Sequence, residues 1–358
     1  MTHLFDVSAL GLRTRISFES GTSEAFENRV RRAWEDALLP EGAEPDIEIS
    51  VPLPGDEEAV LERLSVDVTL AALAARRGSM LMFHAAGVAA PDGRVVAFVG
   101  PSGRGKTTLT KTLAQTYGYV SDETIAVDDD LVVHPYRKPL SLVRAGQPKD
   151  QVAGSTLGLR ALPQAPLRLA ALVVLDRVDG EVEPRLERVP LVEVLADVVE
   201  QMSYLPELER PLQRLAELAR SLGGLLRLTY AEASTVRPLL DALLKGAIAD
   251  ARARVVLPAL PELGAPSGVS TARVKDAVDD GESVLVLADR TVRVLGGIGP
   301  EVWRGLVAGL PREQIRDAVV DRFGSPPQGS ADALIDAAIN DLVSSGLVAA
   351  GQERESQP

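Results

Sequence analysis

The residue pattern with the most specific chemistry is GPSGRGKT at Gly100–Thr107, where a glycine, four residues and Gly-Lys-Thr follow one another. Glycines let the backbone curl so that its N–H groups face phosphate oxygens. Lys106 adds a point charge for the β- and γ-phosphates, and the Thr107 hydroxyl suits magnesium. An apolar strand before the loop and helical spacing at Thr107–Ala114 supply the context that the motif requires. We therefore predict a site for ATP and Mg²⁺, with nucleotide contacts from Gly100, Ser102, Gly103, Arg104, Gly105, Lys106, Thr107 and Thr108.

Phosphoryl transfer also needs carboxylates, one on the metal and one that orients or deprotonates the nucleophile. Asp122 and Glu123 end a short apolar strand that lies one helix after the loop, and Asp176 ends the apolar run LAALVVLDR. The first two could instead form a solvated acidic turn, and Asp176 could be a strand-end cap. A strand beside the loop should end close to the phosphates, so we predict that Asp122 and Glu123 join Thr107 at the metal. Asp176 stays open as the alternative.

His84 is a lone polar residue in the apolar run Met80–Ala89, which we interpret as one strand joined by a tight turn to the strand that enters the loop. A histidine without a visible partner is by default a satisfied core residue. Its place one strand before the loop makes it a candidate catalytic residue, and both readings stay open.

Composition excludes several classes of protein. The chain has 358 residues, a formal net charge of −13 and no cysteine. The missing cysteines exclude disulfide scaffolds, cysteine-ligated zinc, iron–sulfur clusters and thiol nucleophiles. The negative charge argues against nucleic acid and anionic membranes as partners. With no signal-peptide pattern at the N-terminus and no apolar run long enough for a bilayer, we expect a soluble, cytoplasmic protein.

Strand-like and helical patterns alternate along the chain and predict a mixed α/β fold. A helix at Leu212–Leu222 falls within the loop-bearing region, and prolines near residues 256–274 discourage regular structure. After them a hairpin, Ser283–Leu287 and Thr291–Leu295, precedes three short helices. The predicted division is an N-terminal α/β segment at 1–78, a P-loop domain at 79–255, a linker at 256–274, a small domain at 275–350 and a disordered tail at 351–358.

Three motifs together resemble the HPr kinase/phosphorylase family: HAAGV at His84–Val88, the loop at Gly100–Thr108, and Ser121-Asp122-Glu123. They resemble more closely the HPr-kinase-like bacterial proteins found with peptide-modification systems, which also carry a segment like HPYRKPLSL, His134–Leu142. The resemblance covers about residues 80–145. It implies a mixed sheet related to phosphoenolpyruvate carboxykinase and transfer of phosphate to a serine hydroxyl.

The same resemblance implies individual roles. Asp122 would be the general base at the acceptor hydroxyl, Glu123 a metal or supporting acid, and His84 a residue near the γ-phosphate. The chain departs from the family where Glu123 replaces the usual second Asp, and it lacks the long signature that HPr kinases carry after the acids. These departures argue against HPr itself as the acceptor and against the reverse phosphorylase reaction.

The C-terminal segment resembles PqqD-like domains, which are winged-helix-like and recognise precursor peptides. The matching features are the strand Thr291–Leu295, the pair Val302-Trp303 and the closing Gly346-Leu347-Val348. Such a domain binds a peptide by adding it as a strand to an exposed sheet edge. The alternative is a generic winged-helix stabilising module, and we expect Trp303 to lie in a core and not on a binding surface.

The leading hypothesis is an ATP- and Mg²⁺-dependent kinase for a hydroxyl, expected to be serine, of a ribosomal peptide or small protein that the C-terminal domain captures. One alternative is a nucleotide-gated peptide-binding chaperone without transfer activity, and another is a kinase for a small molecule such as an amino acid. The sequence leaves open the acceptor, the donor (ATP, GTP or pyrophosphate), the partners and a homo-oligomeric state.

Overall fold

A computed structural model describes residues 4–40, 42–142, 150–246, 273–279 and 281–349. Backbone contacts divide the chain into two compact units. The first contains Met1–Leu208 and Ser221–Ala253, and the second contains Glu209–Arg220 and Arg254–Pro358. Within the described part of the chain, no helix has the length and apolar character needed to cross a membrane. Residues 256–272 of the predicted linker and the predicted tail lie outside the described residues.

The first unit begins with a four-stranded sheet in the order β3-β1-β2-β4. Its strands are β1 (Leu4–Ala9), β2 (Leu12–Phe18), β3 (Leu38–Leu39) and β4 (Ile47–Val51). Residues of β2 alternate between buried and partly exposed, as expected of a strand with one face on a core. Two helices pack on that core: α1 (Glu24–Ala33) and α2 (Glu57–Ala75).

Each of these helices starts at a side-chain cap. The Ser23 hydroxyl accepts the Phe26 N–H at the start of α1, and the Asp56 carboxylate accepts the N–H groups of Glu58 and Ala59 at the start of α2. Such caps satisfy backbone donors that have no partner within the helix.

A six-stranded mixed sheet, in the order β14-β16-β13-β7-β6-β8, carries the predicted loop. Its strands are β6 (Ala85–Ala89), β7 (Arg94–Val99), β8 (Gly118–Ser121), β13 (Arg168–Arg177), β14 (Arg185–Val189) and β16 (Leu225–Tyr230). The central strands β7 and β13 are parallel neighbours and are buried over most of their length, which explains their continuous apolar sequences. The helices of this region are α3 (Lys106–Leu113), α4 (Leu191–Glu200) and α6 (Arg237–Leu244).

The run Met80–Ala89 is not the single strand that its apolar sequence predicts. It divides at His84 into β5 (Leu81–Phe83) and β6, which belong to different sheets. β5 lies in an antiparallel sheet of order β10-β9-β5-β15, formed with β9 (Ile125–Val127), β10 (Val133–His134) and β15 (Met202–Ser203). A separate ribbon pairs β11 (Leu140–Leu142) with β12 (Asp150–Val152). The chain therefore changes sheets at His84.

The second unit contains an antiparallel sheet of order β17-β18-β19 and three helices that follow it. Its elements are β17 (Val274–Asp279), β18 (Val284–Ala288), β19 (Thr291–Leu295), α7 (Gly299–Val307), α8 (Arg312–Phe323) and α9 (Ala331–Ser344). Trp303 is fully buried in the core of this unit, which confirms that it is not a surface residue. The winged-helix-like, PqqD-like assignment of this unit stays a prediction.

Two boundaries differ from the predicted division. The helix α5 (Pro211–Ser221) was predicted inside the P-loop domain, but its residues up to Arg220 cluster with the second unit. The Asp276 carboxylate of β17 accepts the N–H groups of Leu212 and Gln213, so a residue of the C-terminal sheet caps this helix. In addition, β17 begins at Val274, inside the predicted linker.

Candidate functional site

Strand direction brings the predicted site residues to one edge of the six-stranded sheet. β6 is antiparallel to β7, β8 is antiparallel to β6, and β13 is parallel to β7. The C-terminal ends of β7, β8 and β13 therefore meet the N-terminal end of β6. The loop after β7, Asp122 and Glu123 after β8, and His84 before β6 all lie at this edge, which is the edge where ligands bind in open α/β sheets.

The loop has the backbone conformation that phosphate binding requires. Gly103 and Gly105 have φ of +86° and +85°, a region that disfavours other residues. A Cβ atom at Gly105 would lie 3.0 Å from the Tyr230 hydroxyl, which itself donates to the Arg104 carbonyl at 2.9 Å. α3 starts directly after Gly105, so its free N–H groups and its dipole face the loop.

Lys106 lies inside the loop and is nearly covered by protein. Its ammonium group donates to the Gly100 carbonyl at 2.5 Å. Burial lowers the pKa of Lys106, and the negative charge of Glu123 acts in the opposite direction. An anion beside this ammonium group would replace the solvation that burial has removed.

Asp122 is oriented by a buried tyrosine. The Tyr119 hydroxyl donates to Asp122 Oδ1 at 2.9 Å, and burial followed by the Asp122 charge raises the pKa of Tyr119 well above its ordinary value. The Ser121 hydroxyl accepts the N–H groups of Glu123 and Thr124, each at 3.1 Å, and so fixes the turn that carries both acids. Asp122 therefore faces the cleft through a carboxylate held at one oxygen.

Glu123 has a basic partner at each carboxylate oxygen. Its Oε1 lies 3.5 Å from His84 Nδ1, and its Oε2 lies 3.4 Å from Lys138 Nζ. The side chain of Lys138 is 10% exposed, whereas that of His84 is 43% exposed. Glu123 thus connects His84, where the chain changes sheets, with Lys138, which lies after β10.

His84 is held through its backbone as well as its ring. Its N–H donates to the Gln201 carbonyl at 2.6 Å, and the next N–H, that of Ala85, donates to the Glu123 carbonyl at 3.2 Å. Burial, followed by the positive charge of Lys106, lowers the pKa of His84, although Glu123 acts against this. The structure therefore favours a neutral imidazole at neutral pH.

These residues enclose a cleft of about 440 Å³, named here the loop cleft. Its lining residues are His84, Ser102, Gly103, Gly105, Lys106, Thr107, Thr108, Asp122, Glu123, Lys138, Ser141 and Arg177. The predicted residues Gly100 and Arg104 are not among them: Gly100 is buried below the loop, and the Arg104 guanidinium donates to the Arg177 carbonyl at 2.9 Å.

Asp176, the alternative metal carboxylate, does not line the loop cleft. Its Oδ2 accepts from the Thr229 hydroxyl of the neighbouring strand β16, at 3.5 Å. The next residue, Arg177, is exposed and lines the cleft beside the loop, with its Cδ 3.4 Å from a Cβ built at Gly105.

Sequence reasoning missed three residues of the cleft: Lys138, Ser141 and Arg177. The first two belong to the segment His134–Leu142, which was noted for its resemblance and not for any chemistry. Arg177 follows Asp176, the strand-end residue on which the sequence analysis concentrated. Tyr119 was also missed, because a tyrosine within a short apolar strand reads as core.

The residues present fit Mg²⁺ bound together with a nucleotide. Among the described residues, no group of three or more His, Cys, Asp or Glu side chains could hold a metal by itself. Mg²⁺ commonly uses one or two protein ligands together with phosphates and water. Thr107, Asp122 and Glu123 all line the loop cleft and carry oxygen atoms, and one or two of them would be enough to hold the ion.

Comparisons with known proteins identify the loop-bearing region. Residues 83–218 match the ABC transporter family, which identifies a P-loop nucleotide-binding region but covers too little of the chain to assign the whole protein to that family. No curated protein matches the chain. A solved structure of the Hpr(Ser) kinase/phosphatase from Coxiella burnetii is similar at 13% identity and a TM-score of 0.26, covering 46% of this chain and 94% of that one. The chain therefore contains a P-loop nucleotide-binding domain of mixed α/β fold.

Proposed function

We propose that this protein is an ATP- and Mg²⁺-dependent kinase that transfers the γ-phosphoryl group to a hydroxyl of a peptide or small protein. The observation that carries the proposal is the presence of Asp122 in the same cleft as the phosphate loop. Binding a nucleotide needs the loop, Lys106 and a metal, whereas a carboxylate facing the γ-phosphate also allows an acceptor to be activated.

In the proposed reaction, the loop N–H groups and Lys106 hold the triphosphate, and Mg²⁺ neutralises phosphate charge when bound. Asp122 accepts the proton of the acceptor hydroxyl as its oxygen forms a bond to the γ-phosphorus. The bond from that phosphorus to the β,γ-bridging oxygen breaks, and ADP leaves with the electron pair. Tyr119 keeps one oxygen of Asp122 occupied, so the other oxygen is available to the acceptor.

The residues of His84–Val88, the loop and Ser121–Glu123 support a kinase through their resemblance to the HPr kinase family. Glu123 stands where the family has a second aspartate. Its longer side chain reaches both His84 and Lys138. Under the proposal Glu123 organises the cations around the γ-phosphate, and the neutral His84 lies beside them.

A peptide acceptor is supported by the second unit. Within the described residues, β19 pairs with β18 and forms an edge of its sheet. Val294 of β19 is 48% exposed, which offers an apolar contact beside unpaired backbone groups. Under the proposal, a precursor peptide adds a strand along β19 and is thereby retained for phosphorylation.

The test is to incubate the purified protein with Mg²⁺ and γ-labelled ATP, alone and with candidate precursor peptides from its genomic neighbourhood. Wild-type protein is expected to label a peptide hydroxyl, and Asp122→Asn is expected to lose that labelling while still binding ATP. Labelling that persists in Asp122→Asn would overturn the role of this residue.

Two other outcomes would redirect the proposal. Tight nucleotide binding with ATP-dependent peptide binding but no labelled product would identify a nucleotide-gated chaperone. Labelling of a free amino acid or another small molecule, and of no peptide, would identify a small-molecule kinase with a structural C-terminal unit.

A further inference from the structure

Lys138 is a buried cation that faces the loop cleft but contributes nothing to the loop itself. It follows β10 in a segment without regular secondary structure, and the next residue, Pro139, disfavours a helical conformation at Lys138. Two contacts of Tyr136 fix this segment: its N–H donates to the Val120 carbonyl of β8 at 3.2 Å, and its hydroxyl lies 2.7 Å from that of Thr69. The lysine is therefore held beside the strand end that carries Asp122 and Glu123.

The ammonium group of Lys138 can still donate a hydrogen bond to a stronger acceptor. Among the described residues, its oxygen partners are Glu123 Oε2 at 3.4 Å and the Pro139 carbonyl at 3.3 Å. Charge-assisted hydrogen bonds are usually about 2.7–2.9 Å long. Both contacts are longer than that, and an ammonium group has three protons to donate.

The position of Lys138 separates it from Lys106. Lys106 is bound to the Gly100 carbonyl inside the loop, whereas Lys138 is bound to Glu123 at the end of β8. Because Glu123 directly follows Asp122 after β8, its contact with Lys138 holds the lysine in the part of the cleft that contains Asp122. That is the part of the cleft where a γ-phosphate and an acceptor would meet.

From this arrangement we propose that Lys138 is a second phosphate-binding cation, which contacts oxygens of the γ-phosphoryl group while Lys106 contacts the loop side of the triphosphate. Glu123 keeps the Lys138 side chain in place and is not itself the main magnesium ligand. A catalytic role of Lys138 rests on the proposed function, whereas its contact with the γ-phosphate depends on nucleotide binding alone.

The experiment compares the affinities of full-length protein for MgATP and MgADP by calorimetry, without an acceptor. Lys138→Met is expected to weaken MgATP binding about ten- to a hundredfold, the range for a lost charged hydrogen bond, and to change MgADP binding less than twofold. Lys245→Met, which removes an exposed lysine outside the cleft, is the matched control and should leave both affinities unchanged.

Lys138→Gln provides a second variant in case Lys138→Met does not fold. The amide can still donate to Glu123 and to the Pro139 carbonyl, but it carries no charge. The same selective loss of MgATP affinity is expected. An equal loss for both nucleotides, or no loss for either, would overturn the inference, because Lys138 would then have only a structural role or none in binding.

A transfer assay on the same samples separates this inference from the proposed function. If wild-type protein phosphorylates no acceptor but the selective loss of MgATP affinity is seen, the kinase proposal fails and the role of Lys138 stands. If wild-type protein transfers phosphate and Lys138→Met keeps the wild-type ratio of MgATP to MgADP affinity, the role of Lys138 fails and the kinase proposal stands.

Discussion

At the scale of single residues, the two adjacent acids differ in what surrounds them. Glu123 has His84 and Lys138 at its two oxygens, whereas Asp122 has the Tyr119 hydroxyl at one oxygen. A carboxylate between two basic groups is suited to holding them in place. Among the described residues, Asp122 has a hydrogen-bond partner at one oxygen, which leaves the other suited to accepting a proton. We therefore propose Asp122 as the general base and Glu123 as the residue that holds the basic groups in place.

The first prediction concerns Tyr119→Phe, which removes the hydroxyl that orients Asp122 and keeps the buried ring. Turnover should fall about tenfold, the order expected for one hydrogen bond to a charged group, and MgATP affinity should stay within twofold. Tyr117→Phe is the matched control, because that tyrosine is also buried but its hydroxyl donates to Asp241, which does not line the loop cleft. Equal turnover in both variants and wild type would contradict the role of Tyr119.

A second prediction concerns the charge state of His84. Burial and the Lys106 charge lower its pKa, so an NMR titration of the ring should give a midpoint below the ordinary value of about 6.5. Lys106→Met removes the nearby positive charge and should raise that midpoint. Because the neutral form is favoured in the folded state, the contribution of His84 to stability is fully present above pH 6.5. It should decrease as the pH falls from there through the lowered pKa. A midpoint above 6.5 would be inconsistent with this environment.

At the scale of elements, the loop depends on backbone conformation that only glycine adopts readily. Gly105→Ala places a Cβ 3.0 Å from the Tyr230 hydroxyl and strains a residue with φ of +85°, so MgATP affinity should fall at least about tenfold. Gly180→Ala is the control, since its φ is +91° but a Cβ there meets nothing within 4 Å. It should cost about 1 kcal/mol of stability and leave MgATP affinity unchanged. Wild-type MgATP affinity in Gly105→Ala would contradict the predicted role of the Gly105 conformation in phosphate binding.

The helix α5 gives an element-scale prediction about stability. Asp276 is 1% exposed and accepts two N–H groups at the start of α5, together with the side-chain amide of Gln213. Asp276→Ala leaves these donors without a partner and should lower the free energy of unfolding of the second unit by about 2 kcal/mol or more. Asp321→Ala, at an exposed position of α8, should change it by less than about 0.5 kcal/mol in urea denaturation. Equal stability of the two variants would contradict this account of α5.

The sequence predicts these elements to different extents. The strand–loop–helix around Gly100–Thr107 is predictable because the motif itself demands that order, and it is present as β7, the loop and α3. The division of Met80–Ala89 at His84 is not predictable, because apolar residues continue on both sides of the crossover. The sequence also does not predict that α5 belongs to the second unit. An amphipathic pattern shows that one face of a helix is buried but not which core covers it.

The sequence likewise predicts only some of the residues of the candidate site. Asp122 and Glu123 could be proposed from their place after a strand, because strand ends gather at a sheet edge. Lys138 could not, because it reaches the cleft through a tertiary contact with Glu123, which leaves no spacing rule in the sequence. Arg177 ends β13 at the same sheet edge, but the strand-end rule does not tell which of Asp176 and Arg177 faces the loop.

At the scale of the whole molecule, a chain with a net charge of −13 is proposed to bind a polyphosphate through local cations and backbone N–H groups. The second unit supplies the proposed peptide site. Addition of a peptide strand along β19 should slow amide hydrogen exchange at residues 291–295, because new backbone hydrogen bonds form there. The amides of β17 serve as the internal reference and should be unaffected. Peptide binding that protects β17 and not β19 would contradict this site.

The most direct test of the account is to measure MgATP affinity and phosphate transfer on the same sample for wild type, Asp122→Asn and Lys106→Met. One cleft is proposed to hold the triphosphate through the loop and to activate the acceptor through Asp122. Asp122→Asn should therefore keep MgATP affinity within about threefold and lose at least about a hundredfold in turnover, a typical contribution of a general base. Lys106→Met should lose affinity and turnover together. Wild-type turnover in Asp122→Asn would contradict the central claim.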